Sequence, residues 1–248
     1  MSNTTTLPPL EINVFGECQL NRIAERAHLS VRVSAESSSK EEAAQNVTAA
    51  VNALHAQFRE LSPNGMDCAP APLDADAPIT AFDIGSITTS SRVPTDRDDK
   101  PTGPRQFSAF ANLSATFRDF AKLGEIASQV FVMPFVEVRS ISWRLRDMMA
   151  EKLAKEARKG ALMDAIGKAS DFAQTVNREV FPVEINDQGG STSPSGPLLM
   201  ARAMTARVDD PGSSGHALDL EPQEITVRAS IMVKFATADW KRPEGFRY

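Results

Sequence analysis

DMMAEKLAKEARKGALMDAIGKASDFAQTV, residues 147 to 176, is the stretch whose period decides the fold. Its small apolar residues Ala154, Ala157, Ala161, Ala165, Ala169, Phe172, Ala173 and Val176 recur every three or four positions, which is the spacing of one helical face. A face built from alanine lets a helix backbone come close to whatever it covers, and the flat partner that suits it is a sheet. Thirty residues at about 1.5 Å of rise each predict a helix roughly 45 Å long.

The strands such a helix would cover are legible on both sides of it. Ile225, Val227, Ala229, Ile231, Val233 and Phe235 alternate with Thr226, Arg228, Ser230, Met232 and Lys234, a period of two that gives one buried and one wet face. Upstream, Val136 to Leu145 reads as a strand running straight into the helix, with Ile141, Trp143 and Leu145 on one side. Phe107, Ala109, Ala111, Leu113, Ala115 and Phe117 mark another, and residues 79 to 90 a weaker one. Near the start, Ile12, Val14, Cys18 and Leu20 share a side, with Gly16 at a bulge position. Leu29, Val31, Val33 and Ala35 come next, and these two neighbours are expected to pair as a hairpin. Val180 to Asn186 reads as a short strand that Pro182 demotes to an edge.

Two further helices interrupt the strands. Ser37 to Ser39 supply capping hydroxyls ahead of Lys40-Glu41-Glu42, and Ala43, Val47, Ala50, Val51, Leu54, Phe58 and Leu61 form a stripe that ends at Ser62-Pro63-Asn64-Gly65. A shorter helix spans about Phe120 to Val130 and stops at Met133-Pro134, while Asn177 is the expected stop of the long one. Hairpins alternating with helices predict an α+β fold with a largely antiparallel sheet and helices on one face. The expected layout is a flexible start at 1–9, one domain over 10–237 and a tail at 238–248. Loop insertions are expected at about 62–78, 92–105 and 187–219.

Composition narrows the function classes. A chain of 248 residues with 42% hydrophobic and 24% charged residues is long enough to bury a sizeable core. The net charge of −5 argues against a broad nucleic-acid surface, which needs Lys and Arg to neutralise phosphates. No run of about 18 apolar residues predicts a membrane span, and MSNTTTLPPL has no secretory character, so a cytoplasmic, unanchored protein is expected. Cys18 and Cys68 lie outside any C-x-x-C pattern and support neither a zinc site nor a disulfide framework.

Catalytic signatures are equally sparse. His28, His55 and His216 are the only imidazoles, and none stands in a nucleophile motif. Gly212-Ser213-Ser214-Gly215 has no lysine after it and reads as a turn, not a phosphate cradle. No catalytic residue, cofactor or metal is therefore assigned. Two sets of residues remain as candidates. Trp240, Arg242, Phe246 and Tyr248 in the tail combine the residue types that dominate interfaces, and Glu137, Arg139, Arg144 and Asp147 are the polar groups for a pocket between the long helix and the sheet. For Glu137 and Arg139, an exposed charge pair is the plainer explanation.

Several landmarks in order resemble the SIMPL domain family. They are Ile12-Asn13-Val14-Phe15-Gly16-Glu17, Ala27 to Val33 leading into Lys40-Glu41-Glu42-Ala43, the central run Phe107 to Ile126, and Ser140-Ile141-Ser142-Trp143. Asp164-Ala165 with Lys168-Ala169 on the long helix and Glu224 to Phe235 complete the set. The resemblance spans about residues 10 to 237 and departs at Asn177 and in the loops at 62–78 and 187–219. It implies no catalytic residues. Family members are mostly of unknown biochemical function. Bacterial relatives are envelope proteins linked to oxidative-stress defence, one of which forms a ring-like oligomer, and a mammalian relative associates with a signalling kinase. The resemblance thus implies a non-enzymatic, self-associating protein that acts in stress response or as an interaction scaffold. A small-ligand-binding protein or enzyme and a kinase-pathway adaptor are the alternatives.

Overall fold

The computed structural model describes residues 10–62, 77–98, 100–194 and 220–237. In chain order the elements are β1 (Glu11–Ile23), β2 (Arg26–Ser37), α1 (Lys40–Leu61), β3 (Ile79–Ile84), β4 (Thr88–Arg92), β5 (Gln106–Phe117), α2 (Phe120–Val132), β6 (Val136–Arg144), α3 (Asp147–Thr175), β7 (Phe181–Pro194) and β8 (Glu224–Ala236). The expected α+β class with antiparallel pairing and one long helix is what these elements form. The strands divide between two sheets, however, and the chain forms two compact units.

The first unit holds β1, α3, β7 and β8, with strand order β1-β8-β7. Alternation in β8 buries Ile225, Val227, Ala229, Ile231, Val233 and Phe235. The row that α3 buries is Leu153, Ala157, Ala161, Ala165, Ala169 and Ala173, each four residues from the next. With methyl groups in place of long side chains, α3 settles so close to β1 that a Cβ on Gly16 would overlap the Ala161 carbonyl oxygen and lie 2.8 Å from the Ala165 Cβ. This contact explains Gly16. The helix ends on Asn177, whose φ of 52° takes the left-handed conformation usual for glycine, while its N–H and that of Arg178 donate to Gln174 and Ala173 carbonyls.

The second unit holds β2, α1, β3, β4, β5, α2 and β6, with strand order β3-β5-β2-β6. β3 pairs with Leu113–Phe117 of β5 and β4 with Gln106–Phe110, so the two short strands lie end to end along one side of β5. The core is aromatic at one end: Phe58 of α1 meets Phe117 of β5 edge-on at 6.5 Å and Phe82 of β3 at 6.2 Å. Such pairs add about 0.5–1.5 kcal/mol each beyond area burial. Ser39 caps α1, its hydroxyl accepting the Glu42 N–H at 3.3 Å, and the Asp119 carboxylate does the same for Lys122 N–H of α2 at 3.0 Å. Helices cover one face of this sheet, through contacts of α1 with β2 and β5 and of α2 with β6.

Three sequence expectations change here. β1 and β2 are consecutive but belong to different sheets, so they are not a hairpin. Period-two alternation reports which face of a strand is buried and says nothing about its neighbour. Residues 79 to 90 form two strands, not one, with the pairing to β5 shifted by one residue between Ile84–Leu113 and Thr88–Phe110. Residues 187 to 194, expected to begin a long loop, continue β7 beyond a bulge: Asp187 faces Ile231 and Gly190 faces Ala229, so Gln188 and Gly189 share one partner position. Gly189 adopts φ of 83°, and the Asp187 carboxylate accepts its N–H at 2.8 Å. The start at 1–9, residues 63–76 and 195–219 of the two long loops, and the tail at 238–248 lie outside the described residues.

Candidate functional site

In the first unit, α3 occupies one face of the three-stranded sheet and leaves the side chains of the other face to form rows. Leu10 and Thr237 are joined by the Thr237 N–H to the Leu10 carbonyl at 3.1 Å. The Arg228 Nε donates to Gln19 Oε1 at 3.2 Å, and the Thr226 hydroxyl to Asn21 Oδ1 at 3.1 Å. These pairs share one antiparallel register of β1 with β8, which sets Glu17 across from Ser230 and Phe15 across from Met232. On the other side of β8, Ser191 of β7 faces Arg228 and Ser193 faces Thr226.

The β7 bulge opens a cleft of about 730 Å³ on this face, lined by Glu17 to Gln19, Gln188 to Ser191 and Arg228 to Ser230. Glycine is required in its wall, because a Cβ on Gly190 would lie 2.7 Å from the Arg228 carbonyl oxygen. Among the described residues, the side chains of Glu17, Gln188, Ser191 and Ser230 make no hydrogen bond, and Arg228 uses only Nε, toward Gln19. One carboxylate, one guanidinium, an amide and two hydroxyls are thus available to a ligand. The ring of Phe15, 58% exposed, occupies the next position on the same face of β1.

A second set of polar contacts fastens α3 to the outer edge of β1. The Asp164 carboxylate accepts the Glu17 N–H at 2.9 Å, Lys168 Nζ donates to the Phe15 carbonyl at 3.0 Å, and Asp164 and Lys168 bridge at 2.7 Å. The hydrogen bond from Lys168, with that from the Glu17 N–H, holds the Asp164 carboxyl below the usual aspartate range. Backbone groups of an edge strand that would otherwise recruit another strand are engaged by this ion pair. The Asp-Ala and Lys-Ala landmarks therefore have a structural task.

The residues named for a helix-and-sheet pocket lie elsewhere. Glu137 and Arg139 form an exposed ion pair at 3.7 Å on β6, in the second unit, with Arg144 exposed at the end of the same strand. Asp147 is the first residue of α3 in the first unit. Trp240, Arg242, Phe246 and Tyr248 lie outside the described residues, as does His216. His28 sits half-buried on the face of the second sheet opposite α1 and α2, with Nδ1 3.2 Å from the Thr116 hydroxyl. Burial, reinforced by the Arg144 charge, pushes its pKa down. His55 packs at 5.8 Å from the Phe82 ring. Among the described residues, no three His, Cys, Asp or Glu side chains gather as metal ligands, and no helix is long and apolar enough to cross a membrane.

The turn between α2 and β6 is a feature that sequence reasoning missed. Phe131, Val132 and Phe135 are 46%, 82% and 45% exposed, and Phe135 has φ of 66°, a costly conformation for an aromatic residue. The run Val130 to Phe135, VFVMPF, is the signal: it stays apolar past the point where the helical stripe ends.

No curated protein matches the chain. The profile of the SIMPL family, described as a protein of unknown function (DUF541), matches residues 12–235, and that span takes in β1 with Gly16, the Asp164 and Lys168 fastening and nearly all of β8. With the match extending over most of its length, the chain belongs to the SIMPL family.

Proposed function

We propose that this SIMPL-family chain is a non-enzymatic, self-associating protein that acts in stress response or as an interaction scaffold. The observation that supports it most is the apolar turn Phe131, Val132 and Phe135 in the second unit. Three large apolar side chains exposed side by side, one of them in a strained backbone conformation, have the character of a contact surface. Four groups with shifted pKa values among the described residues fit a structural account: Asp164 is ion-paired with Lys168 and Lys122 with Glu125, Glu41 accepts its own backbone N–H and the Ser39 hydroxyl near the start of α1, and His28 is half-buried. Sedimentation velocity at micromolar concentration tests the proposal. Association that weakens in Val132→Glu supports it, and a strict monomer overturns it.

The cleft at the β7 bulge favours a second reading, small-ligand binding, because the side chains of Glu17, Gln188, Ser191 and Ser230 in its lining make no hydrogen bond among the described residues. A shift in melting temperature on addition of a small polar ligand, absent when the cleft is altered, is the matching test.

A further inference from the structure

We propose that the cleft at the β7 bulge binds a neutral saccharide, an inference that rests on the small-ligand reading of that cleft. Its lining decides the class by elimination. A phosphate or other anion attracted to Arg228 meets the Glu17 carboxylate on the same face, and a cation drawn to Glu17 meets Arg228. A ligand without net charge uses both groups as hydrogen-bonding partners.

The rest of the lining supplies further hydrogen-bonding groups, the Gln188 amide and the Ser191 and Ser230 hydroxyls, beside Gly189, Gly190, Cys18, Ala229 and a Gln19 amide already bonded to Arg228 and Asn21. Amides, a carboxylate and a guanidinium present donors and acceptors in pairs about 2–3 Å apart, which is the separation of vicinal hydroxyls on a sugar ring. Phe15 adds a flat apolar surface beside this set, suited to the C–H face of a sugar ring. A volume of about 730 Å³ has room for two or three sugar units. The cleft lies on an exposed sheet face, where a hydrophilic ligand keeps part of its hydration.

The site differs from the Asp164 and Lys168 fastening, although both involve Glu17. That fastening uses the Glu17 N–H, and the cleft uses its carboxylate. Glu17 side-chain variants therefore leave α3 in place.

The experiment titrates the full chain with maltotriose, cellotriose and tri-N-acetylchitotriose, and in parallel with glutamate and inorganic phosphate, following chemical shifts in two-dimensional NMR. Saturable shifts are expected with at least one trisaccharide, and affinity is expected to fall about ten- to a hundredfold in Glu17→Gln and in Arg228→Ala, each of which removes a charge-assisted bond. Unchanged melting temperatures verify that both variants fold. Phe15→Ser is expected to weaken binding as well. Saturable binding of glutamate or phosphate and of none of the trisaccharides overturns the saccharide assignment and leaves the small-ligand reading standing. Absence of binding by all five probes overturns both. Trisaccharide binding that the Glu17 and Arg228 variants leave intact overturns the location.

Discussion

The side chain of Asp164 in α3 accepts the backbone N–H of Glu17 in β1 at 2.9 Å, joining residues 147 positions apart. With Lys168 on the Phe15 carbonyl, one helical turn satisfies a donor and an acceptor of the strand edge. Replacing Asp164 by Asn keeps shape and removes the charge. It is expected to cost about 1 kcal/mol of stability at neutral pH, measured by urea denaturation, since charged hydrogen bonds at a partly exposed site are modest. The carboxyl titrates lower in the folded chain than in the unfolded one, so its contribution is present above the unfolded value and disappears as pH falls through the folded one. The difference between wild type and Asp164→Asn should therefore shrink below about pH 4.

Three glycines of the first unit respond differently to alanine. Gly16→Ala drives a methyl against the Ala161 carbonyl, a backbone atom that cannot rotate away, and is expected to destabilise by about 1–3 kcal/mol or more. Gly160→Ala runs into the Cys18 Sγ, a side chain able to turn aside, so its cost is smaller and is relieved by Cys18→Ala. Gly167→Ala meets nothing within 4 Å and is expected to stabilise the helix by about 0.5–1 kcal/mol. Thermal denaturation of the three variants checks the ranking.

His28 is expected to make the second unit acid-sensitive. Its folded pKa lies below the unfolded value, because burial and then the Arg144 charge disfavour the imidazolium. The unfolded state consequently binds the proton first, and stability is lost as pH falls from about 6.5. His28→Gln should flatten the change in denaturation midpoint between neutral and mildly acidic pH. An equal slope in the variant would assign the acid sensitivity to other groups.

Phe135 separates stability from association. Asparagine tolerates the left-handed backbone conformation better than phenylalanine. Phe135→Asn should therefore raise the melting temperature or leave it unchanged, while weakening the proposed self-association in sedimentation. A variant that loses stability and associates normally would identify the ring as structural.

Much of the fold was legible in the sequence because its signals are local. The four-residue spacing of Ala157, Ala161, Ala165, Ala169 and Ala173 announced α3, and strict alternation from Ile225 to Phe235 announced β8. Ser39 and Asn177 marked helix ends through their own backbone chemistry. The candidate cleft was not legible. Glu17, Gln19, Gln188 and Arg228 are ordinary polar residues at ordinary strand positions, and the bulge that gathers them depends on how β7 pairs with β8. The expected end of β7 at Asn186 failed for the same reason, since Gly189-Gly190 looks like a turn until a partner strand shows that it is a bulge.

By itself the sequence determined most of the helices and strands, the apolar face of β8 and of α1, and the order of family landmarks, all properties set within a few residues by sterics and periodicity. Only tertiary structure decided that β1 and β2 belong to separate sheets, that Gly16 is small because α3 rests on it, and that Asp164 and Lys168 close the edge of β1. Strand pairing and close backbone approach depend on residues more than a hundred positions apart, and no local period encodes which of several compatible partners a strand will meet.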